Sequence, residues 1–311
     1  MKSFAFEVPA DKRIRVIIST DAKNEADDQF AIAYALMSPK LDVVGIAAAH
    51  YFKAHTMPMS AHYSTDEDAG YDSVDKSYEE IELLLEKMGL TGKVPVLRGA
   101  PHGLSDEHTP IDSEAARFII EEAHKPGAPL YIISIGAITD LASAYLIDPT
   151  IADSICTSVW VGGTMPNGGM EFNLFNDILA ANVMMDSQIN TWLLPVNATA
   201  PMRMAFSELY LRVYPYGAFG RYLVEQMMEH NRLAKWPNGE SWIVWDIAAV
   251  AVLLDPHEYQ YKVMNAPRFD DKDMTFIDPG REHFIRVYDR VEPRFALEDM
   301  FCKIALHFDK A

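Results

Sequence analysis

The sequence predicts an α/β protein: an open, mostly parallel sheet with helices on both faces. Short apolar, often β-branched runs alternate with helix patterns along the 311 residues. The runs are continuous rather than alternating, as strands buried on both faces must be. Several stop abruptly at polar residues, where such sheets present ligands at their carboxyl ends.

The first strand pattern covers residues 14–19 and ends at Asp21. A polar loop with four acids (Asp21, Glu25, Asp27, Asp28) then opens into a helix over 27–37, closed by Ser38-Pro39. A second buried strand follows at 42–49. Residues 52–77 read as irregular and too long for a passive connector, which suggests a binding loop or lid, the alternative being a surface insertion. Helix over 78–88, strand at 94–99, helix over 113–124, strand at 130–136 and helix over 138–146 continue the alternation. A strand at 158–163 precedes a Gly/Asn-rich loop, 165–176. Beyond it come a helix at 177–185, a strand at 191–196, mostly helix over 207–229 and an apolar helix over 242–254. The tail reads as a strand pair, 276–278 with 284–289, and a last helix at 296–308. No internal repeat, Walker loop or dinucleotide fingerprint interrupts this pattern, so residues 1–311 are expected to form one domain.

Composition narrows the function classes. A net charge of −18 argues against nucleic acid or an anionic membrane as partner. No apolar run is long enough to span a membrane, and residues 1–11 lack the pattern of a signal peptide. Two cysteines, Cys156 and Cys302, form no disulfide framework, so a cytoplasmic location is expected.

Two features look chemical. Carboxylates packed as tightly as those of 21–28 repel one another unless a cation sits among them, and a hard divalent ion with oxygen ligands, Ca²⁺ or Mg²⁺, suits them. A helix cap accounts for one acid and leaves Asp21, at the strand tip, unexplained. Asp246 is the second feature. It interrupts the apolar stretch 242–254, where a lone buried carboxylate costs several kcal/mol unless paired, metal-bound or capping a helix that begins there.

These residues carry a resemblance. The Asp21–Asp28 loop with the helix Gln29-Phe30-Ala31-Ile32-Ala33 resembles the acidic signature of the nucleoside hydrolases. Val43-Val44-Gly45-Ile46, Pro95-Val96-Leu97-Arg98-Gly99-Ala100 and Ser134-Ile135-Gly136-Ala137-Ile138-Thr139-Asp140 are similar to later family motifs, in order. Glu171-Phe172-Asn173 with Asp177, and Asp246 with Ala249-Val250-Ala251, complete the set. The resemblance implies a nucleoside hydrolase-like fold with Ca²⁺ at the carboxyl end of the sheet. Asp21, Asp28 and Asp246 would be side-chain ligands and Ile135 a backbone-carbonyl ligand. Asp27, Asn167, Glu171 and Asn173 would hold ribose hydroxyls, with Asp21 also the general base. The implied activity is hydrolysis of the N-glycosidic bond of a ribonucleoside or related glycoside by a homo-oligomer.

Two departures stand out. Asn24-Glu25 lengthens the loop ahead of the Asp-Asp pair, so Glu25 either replaces a ligand or bulges outward. Trp245 stands where many members have the histidine that protonates the leaving base. It would stack on the base or pack in the core, and a replacement acid could come from His50, His55 or His62. Rival readings are a sugar-binding protein that keeps the metal site without turnover, and a metal-dependent phosphoesterase. The missing Arg/Lys companion to the acidic loop counts against the latter.

Overall fold

Strand β1 (Ile14–Thr20) shows how the sheet is buried. Val16 and Ile18 enter one apolar core, while Ile17 enters another on the opposite face. A strand wetted on neither side has no use for polar alternation, which is why the run is continuous.

The computed structural model describes residues 1–52, 72–234, 239–257 and 259–310. After β1 come α1 (Asp28–Leu36), β2 (Leu41–Ala48), α2 (Ser73–Met88) and β3 (Val96–Arg98). Next are α3 (Glu114–His124), β4 (Leu130–Ser134), α4 (Thr139–Ile147) and β5 (Ile155–Val161). The short α5 (Phe172–Asn176), α6 (Ile178–Asp186), β6 (Thr191–Leu194) and one-turn α7 (Val196–Thr199) follow. Beyond them lie β7 (Arg203–Ala205), α8 (Phe206–Arg212), α9 (Gly217–Leu233), β8 (Ser241–Ile243) and α10 (Ile247–Leu254). The chain closes with β9 (Gln260–Asn265), β10 (Arg268–Phe269), β11 (Phe276–Ile277), β12 (Phe284–Arg290) and α11 (Pro293–His307).

Eight strands form one sheet in the order β3-β2-β1-β4-β5-β6-β12-β9. Every neighbouring pair in it is parallel except β12 with β9. Helices α1, α2, α9, α10 and α11 cover one face, and α3, α4 and α6 cover the other. Strand order reverses between β1 and β4, so their carboxyl ends diverge into a crevice where open α/β sheets bind ligands. Among the described residues no helix is long and apolar enough to cross a membrane.

Four sequence expectations change. Helix α2 begins at Ser73 rather than Tyr78, because buried Ser73 takes the Tyr51 N–H on its Oγ at 3.1 Å. The stretch 242–254 divides: Ser241–Ile243 is strand β8, paired with β7, and the helix starts only at Ile247. Residues 276–278 do not pair with 284–289. Strand β11 pairs with β10, while β12 joins the main sheet because buried Ile285 and Val287 fit a two-sided strand. Phe172–Asn176, read as loop, is a helical turn capped by Glu171.

One buried acid off the crevice gives a stability test. Asp140 Oδ1 accepts from Ala100 N at 2.8 Å and Ser113 Oγ at 2.6 Å, tying α4 to the turn after β3. Burial outweighs these bonds and pushes its carboxyl up to about 6. Between the ordinary carboxylate range and about 6 the folded acid keeps a proton that the unfolded chain has lost. Its contribution to stability therefore falls as pH rises through that window and stays lowest above it. Asp140→Asn is expected to gain up to roughly 3 kcal/mol relative to wild type between pH 3.5 and 8. Urea unfolding at both pH values measures this, and a pH-independent difference would exclude it.

Candidate active site

The β1–α1 loop turns inward immediately after the strand. Asn24 N–H bonds the Asp21 carbonyl at 2.8 Å, and the small side chains of Ala22 and Ala26 are wholly buried. Asp27 and Asp28 then open α1, but Asp27 spends no side-chain oxygen on capping it.

Three elements brace this loop from outside. Glu80 of α2 accepts from Lys23 Nζ at 2.8 Å, from Gln29 Nε2 at 2.9 Å and from the Tyr222 hydroxyl of α9. Gln226 of α9 bonds the Ala26 carbonyl at 2.8 Å. From β8, Trp242 Nε1 donates to Glu25 Oε1 at 2.8 Å. Glu25 therefore folds inward rather than bulging into solvent.

The result is a cleft of about 300 Å³, within the range of small-molecule sites. It is lined by Asp21, Glu25, Asp27, Asp28, Glu171 and Asp246, and among the described lining residues there is no lysine, arginine or histidine. Oxygens of Asp27, Asp28 and Asp246 come within 4.8 Å of one another. Asp246 N–H donates to Asp27 Oδ2 at 3.3 Å, joining the start of α10 to the loop. Asp246 occupies the cap position of α10, yet its side chain makes no capping bond. Capping therefore does not explain this acid. Asp21 Oδ2 is buried with no hydrogen-bond partner, and Gly136 presses on this side chain: a Cβ there would lie 3.1 Å from Asp21 Oδ1.

Electrostatics follow from this crowding. Burial first, then the Asp28 charge, holds the Asp21 carboxyl well above its usual range. Burial and the neighbouring acids do the same to Asp27 and Asp246, and push Asp28 up to about 7 and Glu25 up to about 8. Buried carboxylates that repel one another form a hard oxygen donor set, and a divalent cation among them removes the cause of the repulsion. The residues fit such an ion.

The other expected residues divide. Ile135 lines the cleft from the end of β4, its N–H held by the Ser19 carbonyl at 2.8 Å. Glu171 and Asn173 face the cleft from α5. Glu171 accepts from Gly163 N at 2.8 Å, Asn173 N at 3.0 Å and Leu174 N at 2.9 Å, while Asn173 Nδ2 bonds the Val161 carbonyl at 3.0 Å. Trp245 is half-buried on the cleft wall rather than in the core. Asn167 is exposed and not among the lining residues; its carbonyl takes the Phe276 N–H at 2.9 Å. His50 is 1 % exposed, outside the cleft, and held near pKa 3 by burial. The Thr139 hydroxyl donates to Asp177 at 2.7 Å and so receives the His50 Nε2 proton at 2.9 Å. A neutral core histidine results. His55 and His62 lie outside the described residues.

Sequence reasoning did not assign Asn24 to the cleft, nor Val196 and Thr199 of α7. Asn24 sits within the acidic loop and could have been suspected. Residues of α7 reach the cleft only through the crossover that places β6 near β5, which no local pattern announces.

With this geometry in place, comparison decides the family. A model of the inosine-uridine preferring nucleoside hydrolases matches residues 68–294. The chain belongs to that family. The match contains Ile135, Glu171, Asn173 and Asp246 and leaves the β1–α1 loop outside. This nucleoside hydrolase family member is 26% identical over 210 residues to uridine nucleosidase 1 of Arabidopsis thaliana, covering 64% of this chain and 61% of the relative. It is 24% identical over 198 residues to that plant's probable uridine nucleosidase 2, covering 60% of each. The chain thus spans about three fifths of the length of the relatives it matches. An inosine-guanosine nucleoside hydrolase shares the fold, with a TM-score of 0.75, 17% identity and coverage of 96% and 100% of the two chains.

Proposed function

We propose that this family member is a Ca²⁺-dependent hydrolase of the N-glycosidic bond of ribonucleosides. The observation that carries the reading is the buried acidic cup at the strand crossover, with one unpartnered oxygen on Asp21. Asp21, Asp28, Asp246 and the Ile135 carbonyl would hold the cation, and Asp27, Glu171 and Asn173 the ribose hydroxyls. When bound, Ca²⁺ supplies positive charge that orients a water and acidifies it.

Asp21 Oδ2 is free to take the proton of that water. Attack by that water on the face opposite the leaving base would invert the anomeric carbon. The carboxylates around the sugar stabilise the positive charge of an oxocarbenium-like transition state. Asp27, Glu171 and Asn173 discriminate ribose from deoxyribose, because a missing hydroxyl leaves buried polar groups unpaired. Among the described lining residues there is no lysine or arginine, which disfavours phosphate esters and other anions as substrates.

A second reading has its own support: with Trp245 in place of a histidine, and no histidine among the described residues that line the cleft, the chain could bind ribosides without turning them over. Reducing-sugar release from a panel of ribonucleosides, with and without chelator, separates the two. Chelator-sensitive release is expected. Ligand-induced thermal stabilisation without release would favour the binding protein.

A further inference from the structure

The lengthened loop brings more polar atoms to the cleft than the proposed hydrolysis employs, and a role for them in substrate choice rests on that proposed activity. Asn24 lines the cleft, is 4 % exposed, and has no hydrogen-bond partner for its Oδ1. A buried carbonyl oxygen without a donor is costly, and native proteins rarely keep one. Beside it in sequence, Glu25 faces the same cleft with its carboxyl fixed. Trp242 Nε1 holds Oε1 at 2.8 Å. Trp242 cannot swing away: it is 2 % exposed and packs edge-on against His230 with ring centroids 5.0 Å apart.

We propose that Asn24 and Glu25 form an acceptor pair that receives a ring N–H of the leaving base, next to the face of Trp245 on which that base packs. Chemistry favours the base over the sugar. The ribose hydroxyls already have Asp27, Glu171 and Asn173, whereas a planar heterocycle with an N–H edge matches an aromatic ring beside two acceptors. The pair then selects bases that carry a ring N–H, such as uracil and hypoxanthine. It disfavours cytosine and adenine, where the corresponding ring nitrogen is a bare acceptor. The residues that lengthen the loop thus recognise the base on the wall where Trp245 replaces histidine.

The test compares uridine with 3-methyluridine, and inosine with 1-methylinosine, on the calcium-loaded wild type and on Asn24→Ala and Glu25→Gln. The glutamine keeps a carbonyl for Trp242. Methylation is expected to lower wild-type kcat/KM by roughly 10–100-fold, the scale of leaving a buried acceptor unpaired. In each variant the methylation penalty is expected to shrink severalfold, because the partner it removes is already altered. A penalty equal in wild type and both variants overturns the assignment while leaving hydrolysis standing. So does wild type that cleaves the methylated and unmethylated nucleosides at equal rates, a result that needs no variant to fold. Coupling to removal of a ribose hydroxyl instead of the ring N–H places the pair on the sugar and also overturns it. Wild type that releases no ribose from any nucleoside overturns the hydrolytic reading and this inference together.

Discussion

Asp21→Asn is expected to lower kcat by roughly 10²–10⁴-fold, the usual worth of a positioned general base, with the fold intact. Asparagine preserves shape and an oxygen toward the cation but cannot accept the proton. Burial, and then the Asp28 charge, make the ionised Asp21 carboxylate unfavourable without a cation, so the cation-free variant should be at least as thermally stable as wild type. Stopped assays of ribose release beside thermal unfolding measure both. Near-normal turnover would remove Asp21 as base. Lost turnover together with a lower cation-free melting temperature would mean that the substitution damaged the loop instead.

Asp246→Ala carries the second large effect. Among Asp27, Asp28 and Asp246, it alone comes from outside the β1–α1 loop, at the start of α10. Its loss is expected to weaken Ca²⁺ binding by at least roughly 100-fold, the upper end of what loss of an outer partner costs a metal site. Wild type with free Ca²⁺ at about a hundred times Kd should be stabilised by about 2.7 kcal/mol, and the variant should lose most of that increment. Titration calorimetry and thermal shift with Ca²⁺ alone provide readouts independent of activity. Unchanged Ca²⁺ content would return Asp246 to a structural role at the helix start.

Local chemistry explains what could be read in the sequence. Residues 14–20 and 130–134 form strands buried on both faces, and such strands must be continuously apolar. The acids at 21, 27 and 28 were visible because nothing in helix or strand formation calls for so many carboxylates at one junction. Asp246 was visible for the complementary reason, one charge in an apolar stretch. The boundaries that failed depend on distant partners. Trp242 looks helical by composition, but β7 captures it as strand, while β12 passes over its sequence neighbour β11 for β6 and β9.

The class of fold, the acidic character of the site and the family are legible in the amino-acid order alone, because hydrophobic period and residue chemistry are local properties. Which way each acid faces is settled by packing. Packing turns Glu25 inward through Trp242, leaves Asp246 free of its own helix, and removes His50 to a neutral core position. Those outcomes depend on contacts between residues far apart in the chain: 217 positions separate Glu25 from Trp242. A side chain's burial, and with it its charge, is fixed only once such distant elements have packed.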